Sequence, residues 1–161
     1  MQMTAPMEVG LAVRDLARMR TFYETALGFA FVAEFRVPAE KAREAALCAE
    51  GYTVVRLQTP NGERLKLLAT SGPPVADATD EAFILGRPRA SYLTFIVDDI
   101  APVLQRALGA GARSLTGPHP VEVRPGIYLA FLHDPEGHVL ELVSYDDIAA
   151  YRPDLQQGMT P

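Results

Sequence analysis

Val13-Arg14-Asp15-Leu16 and Val97-Asp98-Asp99-Ile100 are two versions of one motif, and together they decide the fold. In each, an apolar strand runs into an aspartate that can cap a helix. Each predicted helix then ends at a Leu-Gly pair, Leu27-Gly28 in the first copy and Leu108-Gly109 in the second. An internal repeat has to be identified before any other feature, because it fixes the architecture.

A second motif, a turn sequence, follows the helix in each copy of the repeat. Thr59-Pro60-Asn61-Gly62 and Asp134-Pro135-Glu136-Gly137 are turn sequences, and each separates two stretches rich in strand-forming residues. Each copy therefore predicts a strand, a helix and three strands. We predict an α+β fold of two tandem βαβββ modules that form a curved mixed or antiparallel sheet around a central trough, with the helices outside.

The predicted boundaries describe a single domain over residues 1–161. Module one covers about 7–70, a linker 71–89, module two about 90–145, and a C-terminal tail 146–161. An insertion over 37–51 has no counterpart in the second copy, and its alanine- and glutamate-rich sequence predicts a short helix.

The composition is that of a globular protein, with 161 residues, 48% hydrophobic and 22% charged. A net charge of −5 without a basic run argues against nucleic acid or an anionic membrane as partner. No apolar run is long enough for a membrane span, and the N-terminus does not read as a signal peptide. Cys48 is the single cysteine, which excludes an internal disulfide, and we expect it to be a buried residue of the inserted helix. We expect a cytoplasmic protein that acts on a small molecule.

The two ends of the repeat resemble a known superfamily. The stretch Glu8–Leu16, followed by Phe22-Tyr23 and Leu27-Gly28, is similar to the opening of vicinal-oxygen-chelate proteins, and 134–142 is similar to their closing signature. These are the relatives of glyoxalase I, bleomycin-resistance proteins and extradiol dioxygenases. The resemblance implies paired modules around a concave sheet, often with a divalent metal at its centre, and it implies a homodimer.

The residues at the family's metal-ligand positions depart from its pattern. The resemblance places Glu8 and Lys66 there in the first module, and Tyr92 and Glu141 in the second. A protonated lysine has no lone pair to donate, and its charge repels a cation. We therefore predict no tightly bound transition metal; Glu8 and Glu141 could at most hold a weak divalent cation such as Mg²⁺.

Three functions remain open. The first is an enzyme, a lyase, isomerase or epimerase of the glyoxalase type, in which Glu8 or Glu141 accepts a proton while Lys66 or Tyr92 stabilises the enolate oxygen. The second is a protein similar to the bleomycin-resistance branch, which sequesters a small molecule without chemistry. The third is a metal-dependent enzyme with remodelled ligands, which requires Lys66 to point away from the site.

Two further residues are candidates for substrate binding. His119 lies in a proline-flanked loop that could reach the mouth of the trough, and Arg124 could bind an anionic substrate. His133 and His138 flank the second turn, where we expect hydrogen bonding to the backbone rather than catalysis.

Overall fold

The structure is a computed structural model that describes residues 6–72, 84 and 91–156. The chain divides into two compact units, residues 1–82 and 83–161. This division falls between the two copies of the repeat; that the two modules form a single domain stays a prediction. Most of the predicted linker at 71–89 lies outside the described residues.

The first unit contains one four-stranded mixed sheet. Its strand order is β1-β4-β3-β2, in which β1 runs parallel to β4 and the other neighbours are antiparallel. The elements are β1 (Glu8–Ala12), α1 (Leu16–Leu27), β2 (Ala30–Val37), α2 (Ala39–Glu44), β3 (Tyr52–Gln58) and β4 (Arg64–Thr70).

The second unit repeats this plan with one difference. Its sheet has the order β5-β9-β8-β6, in which β5 runs parallel to β9 as β1 does to β4. The difference is an additional strand, β7, which also pairs with β8. The elements are β5 (Leu93–Ile96), α3 (Ile100–Gly109), β6 (Arg113–Ser114), β7 (Val121–Arg124), β8 (Ile127–His133), β9 (Val139–Tyr145), α4 (Ile148–Tyr151) and a 3-10 turn (Pro153–Gln156).

Where the repeat predicts one strand between the helix of module two and its last hairpin, the structure has two short strands, β6 and β7, which pair with successive parts of β8. Pro118 and Pro120 lie between them. A proline has no backbone N–H to donate to a sheet, so the ladder is interrupted where the two prolines stand. Each module otherwise has the predicted order of elements.

Both main helices begin at the predicted aspartates. The Asp15 side chain accepts a hydrogen bond from the backbone N–H of Arg18 at 2.9 Å, and that of Asp99 accepts from Ala101 at 3.0 Å. These contacts satisfy backbone donors that the first turn of a helix leaves without a partner. The repeated motif therefore does the same work in both units.

Each helix packs on one face of its own sheet. Alternate strand residues point to the helix and form the core, whereas the residues between them point to the opposite face. The buried residues of the first unit include Met19, Phe22, Tyr23, Leu57, Leu65 and Leu67. Those of the second include Ile100, Leu104, Leu132, Leu140 and Leu142.

Two details of the sequence reading need correction. The inserted helix α2 is only six residues long and ends at Glu44. Cys48 consequently lies after this helix and is half-buried, not part of it, and its thiol donates to the carbonyl oxygen of Glu50. In the described part of the chain, no helix has the length and apolar character needed to cross a membrane.

Candidate functional site

The polar residues of the first unit converge on the face of its sheet opposite α1. In the parallel pairing of β1 with β4, Glu8 lies beside Arg64 and Gly10 beside Lys66. In the antiparallel pairing of β3 with β4, Arg56 lies beside Lys66. Since neighbours in register point to the same face, these side chains are brought together by the strand pairing itself.

Glu8 is surrounded by three cations. Its carboxylate oxygens lie 3.6 Å from Lys66 Nζ, 3.6 Å from Arg64 Nη1 and 4.0 Å from Arg56 Nε. We call Glu8, Arg56, Arg64 and Lys66 the cationic cluster. One carboxylate faces three positive groups, so the cluster carries an excess of positive charge.

Several N–H groups of the cationic cluster donate no hydrogen bond to the described residues. All three separations exceed ordinary hydrogen-bond lengths, so they are ion pairs without hydrogen bonds. Arg56 Nε is shielded from solvent and has no hydrogen-bond partner among the described residues. Arg64 Nε does donate, to the Gln58 side-chain oxygen at 2.7 Å.

In the second unit, Glu141 lies on the face of the sheet opposite α3. It is beside Thr94 of β5 and Phe131 of β8 in register. The Thr94 hydroxyl donates to Glu141 Oε2 at 2.6 Å. The ring of Tyr92 packs edge-on against that of Phe131, with centroids 5.2 Å apart. Glu141 therefore has one carboxylate oxygen fixed by Thr94 and lies beside the ring of Phe131, on which Tyr92 packs.

Thr94, Arg56 and Arg64 are site residues that the sequence reading missed. Tyr92 lies just before β5 rather than within it, so the residue beside Glu141 is Thr94. The repeat held the necessary signal, because Thr94 corresponds to Gly10, which is beside Lys66. Arg56 could be found only from the register between β3 and β4, which depends on the length of the hairpin loop.

A pair of tyrosines extends the same face beyond Glu141. The rings of Tyr145, at the end of β9, and Tyr151, in α4, are stacked with centroids 3.9 Å apart. Burial, followed by the hydrogen bond and charge of Tyr151 and then the charge of Glu141, raises the pKa of Tyr145 to about 12. Tyr145 is thus a neutral donor at physiological pH.

The turn at Asp134 is structural. Asp134 is 3% exposed; its Oδ1 accepts from the backbone N–H groups of Glu136 and His138, and its Oδ2 is 2.9 Å from His138 Nδ1. Burial by itself would raise the pKa of Asp134, but the hydrogen bond and charge of His138 and the two backbone bonds outweigh it, and the pKa is lowered. The Asp-Pro-Glu-Gly motif therefore shapes a hairpin.

The remaining residues considered from the sequence are not among those that contact Glu141. His133 Nδ1 is 2.8 Å from Arg113, and its pKa is lowered by burial and then by the charge of Arg113. His119 is exposed in the loop between β6 and β7, and Arg124 is exposed at the end of β7. Their predicted role in substrate binding stays a prediction.

The four predicted catalytic residues thus form two pairs. Glu8 and Lys66 are ion-paired in the first unit, and Tyr92 and Glu141 both contact or neighbour Phe131 in the second. That the two pairs meet in one trough stays a prediction.

The cationic cluster does not fit a divalent metal. Within either unit, the described residues contain no group of three histidine, cysteine, aspartate or glutamate side chains that could hold one. Lys66 points towards Glu8 rather than away from it, and two arginines flank the same carboxylate. Two unit charges of like sign repel each other by about 4 kcal/mol at 4 Å and an effective dielectric of about 20, and a +2 ion would face three such charges.

A protein-family comparison matches most of the chain. The matching family is described as the Glyoxalase/Bleomycin resistance protein/Dioxygenase superfamily, and the match covers residues 6–142. Among curated proteins, none matches the sequence.

Solved structures share the fold at low sequence identity. A glyoxalase family protein from Bacillus cereus is 20% identical with a TM-score of 0.74, over 89% of this chain and 95% of the other. A glyoxylase/bleomycin resistance protein/dioxygenase domain from Frankia is 21% identical with a TM-score of 0.66, over 91% and 95%. Glyoxalase I from Zea mays is 18% identical with a TM-score of 0.60, over 86% of this chain and 44% of the maize chain. At these identities the likeness concerns the fold alone.

Proposed function

Because the chain belongs to the Glyoxalase/Bleomycin resistance protein/Dioxygenase superfamily, we propose that it is a glyoxalase-like enzyme acting on a small carbonyl compound. The reaction is that of a lyase, isomerase or epimerase, and it begins with removal of a proton from the carbon next to the carbonyl group. Glu141 accepts this proton, without a tightly bound transition metal.

The setting of Glu141 carries the proposal. Its Oε2 is held by the Thr94 hydroxyl at 2.6 Å, whereas Oε1 has no hydrogen-bond partner among the described residues. A carboxylate fixed through one oxygen presents the other to a substrate in a defined direction. Glu8 is the weaker candidate for the base, because Arg56, Arg64 and Lys66 hold its two oxygens.

The proposed step involves only the substrate and residues of the second unit. The C–H bond breaks, its electron pair forms a C=C bond, and the carbonyl oxygen gains the negative charge of an enolate. Tyr92 packs against Phe131, which is beside Glu141 in register, and is 44% exposed, so we assign to its hydroxyl the role of donor to that oxygen. In a 2-hydroxy carbonyl substrate, the hydroxyl proton moves to the enolate oxygen, and return of the proton from Glu141 to the former carbonyl carbon completes an isomerisation. Epimerisation requires that water deliver a proton to the opposite face of the original carbon, after which Glu141 gives its proton to solvent.

Hydrogen–deuterium exchange tests this step without knowledge of the final product. A panel of aldehydes, ketones, hydroxyketones and 2-oxo acids is incubated with the protein in D₂O, and proton NMR follows the signal of the hydrogen next to the carbonyl. The wild type should accelerate the loss of this signal for at least one compound. Glu141→Gln should slow that exchange by about a hundredfold or more, since general-base catalysis contributes about that factor.

Two further variants complete the test. Thr94→Val should slow exchange by a smaller factor, because the base is kept and only its orientation is loosened. Glu34→Gln is the matched control, since Glu34 is an exposed glutamate of β2 and should leave the rate unchanged. Exchange at the wild-type rate in Glu141→Gln would assign the base elsewhere.

The aromatic surface beside Glu141 supports a second candidate function. Tyr92, Phe131 and the Tyr145–Tyr151 stack offer ring faces and edges that suit a flat ligand. A sequestering protein of this kind would bind members of the same panel, with perturbed resonances of these rings, and would give no exchange with any of them.

A further inference from the structure

We propose that the cationic cluster of the first unit binds an anionic group, a carboxylate or a phosphate, at the positions to which the family resemblance assigns metal ligands. The inference goes beyond the proposed function, because it concerns residues of the first unit alone. The binding site itself belongs to the first unit and can be tested alone.

The cationic cluster carries an excess of positive charge. Glu8 can neutralise only one of the three cations around it, and no other carboxylate of the described residues is ion-paired with them, so two positive charges remain uncompensated within this part of the structure. Like charges held side by side repel each other, and bringing Arg56, Arg64 and Lys66 together around one carboxylate therefore costs free energy. A bound anion would remove this repulsion.

The cationic cluster also contains hydrogen-bond donors that are not used within the described residues. Lys66 donates no hydrogen bond to the described residues, and its nearest carboxylate oxygen is 3.6 Å away. Arg56 Nε is shielded from solvent and, although it is ion-paired with Glu8, has no hydrogen-bond partner among the described residues. A buried donor without a partner is rare in folded proteins, because losing its hydration without a replacement costs about 1–3 kcal/mol. An anion oxygen between these groups would supply that partner.

The cationic cluster also has adjacent space and oriented side chains. Gly10 is beside Lys66 in register and contributes no side chain, although a Cβ there would lie 3.1 Å from the Leu68 side chain, so the space comes from a neighbouring cleft. A cleft of about 180 Å³, lined by Pro6, Glu8, Gln58, Gly62 and Arg64, adjoins the cluster. The Arg56 guanidinium lies 5.5 Å from the centre of the Phe35 ring, and Gln58 holds Arg64, so two of the cations are oriented in advance.

A titration with simple anions tests the site without turnover. Inorganic phosphate and pyruvate are added separately to the full-length protein at low ionic strength, with hydroxyacetone as the neutral ketone. Nitrogen-15 NMR follows the Nε–Hε signals of Arg56 and Arg64, and calorimetry gives Kd. Saturable shifts of these signals with phosphate, pyruvate or both, and none with hydroxyacetone, are expected, and the stronger ligand identifies the anionic group.

Substitutions of the cations and of Glu8 should change the affinity for the anion in opposite directions. Lys66→Gln and Arg64→Gln should each weaken binding about tenfold, the loss of one charge-assisted hydrogen bond. Glu8→Gln should tighten binding about tenfold, because it removes the competing negative charge. Arg36→Gln is the matched control, since Arg36 is an exposed arginine of the same sheet whose side chain reaches Ser71, and it should leave Kd unchanged.

The outcomes separate this inference from the proposed function. Absence of saturable shifts at Arg56 and Arg64, or weaker binding in Glu8→Gln, would overturn the anion site even if a neutral ketone undergoes exchange. Anion binding at the cluster without exchange of any compound would keep the site and contradict the enzyme. If Glu8→Gln does not fold, Lys66→Gln decides, since it removes a cation and leaves the carboxylate paired with two arginines.

Discussion

At the scale of single residues, the sequence predicted contacts that follow from local spacing and missed those that depend on register. Asp15 was predicted as one helix cap and either Asp98 or Asp99 as the other, and the structure shows Asp15 and Asp99 in these positions. The family resemblance placed Glu8 and Lys66 at the ligand positions of the first module, and these two side chains are ion-paired. Thr94 was not found, because its role depends on which residue of β5 is beside Glu141 in a parallel pair, and one step along a strand changes the face.

Asp134 gives a stability prediction at this scale. Asp134→Ala removes an acceptor that is 3% exposed and leaves its two backbone donors unpaired, so the free energy of unfolding should fall by about 3 kcal/mol. Asp134→Asn keeps an oxygen for these donors and should cost about 1 kcal/mol. Urea denaturation near neutral pH measures both values. Asp154→Asn, at an exposed ion pair with Arg152, is the control and should leave stability nearly unchanged.

The pH dependence of the Asp134 contribution has a defined sign. The pKa of Asp134 in the folded protein is below its ordinary value of 3.8. The unfolded state therefore takes up a proton first, and the contribution is fully present above 3.8 and is lost as the pH falls through the folded-state pKa. The stability difference between the wild type and Asp134→Asn should accordingly shrink under acid. A difference that grows with acid would contradict the assignment.

At the scale of elements, strands and main helices were predictable because each has its own hydrophobic period and turn sequence. The prolines of the 117–120 loop did not reveal that the second strand of module two continues as β7 beyond them. The shortness of α2 was missed as well, because alanine-rich composition favours a helix without fixing where it ends.

The two Leu-Gly helix ends predict opposite effects of the same substitution. Gly28 has a φ of 73°, in the left-handed region, so Gly28→Ala should destabilise the protein by about 1 kcal/mol. Gly109 is the last residue of α3, has no positive φ, and has open space where a Cβ would stand. Gly109→Ala should therefore stabilise by about 0.5–1 kcal/mol. Thermal and urea unfolding of both variants tests the pair, and equal signs would contradict it.

At the scale of the whole molecule, the repeat was sufficient to predict two similar units and their order along the chain. It could not predict their chemical difference, because the two sheets have the same plan but different side chains on their second faces. The first unit presents a cluster of cations around Glu8, and the second presents Glu141 among aromatic rings. The predicted homodimer and the common trough stay predictions at this scale.

The central proposal at this scale is that Lys66 and the arginines beside Glu8 prevent tight binding of a transition metal at the positions to which the family resemblance assigns metal ligands. In Lys66→Glu, a second carboxylate would replace the ammonium group beside Glu8, and one repulsive charge would be lost. The decisive measurement is the metal content, by elemental analysis, of wild type and Lys66→Glu purified without chelator. We expect no near-stoichiometric transition metal in the wild type and increased uptake only in the variant. Near-stoichiometric zinc, nickel or iron in the wild type would show that the cationic cluster does not prevent metal binding.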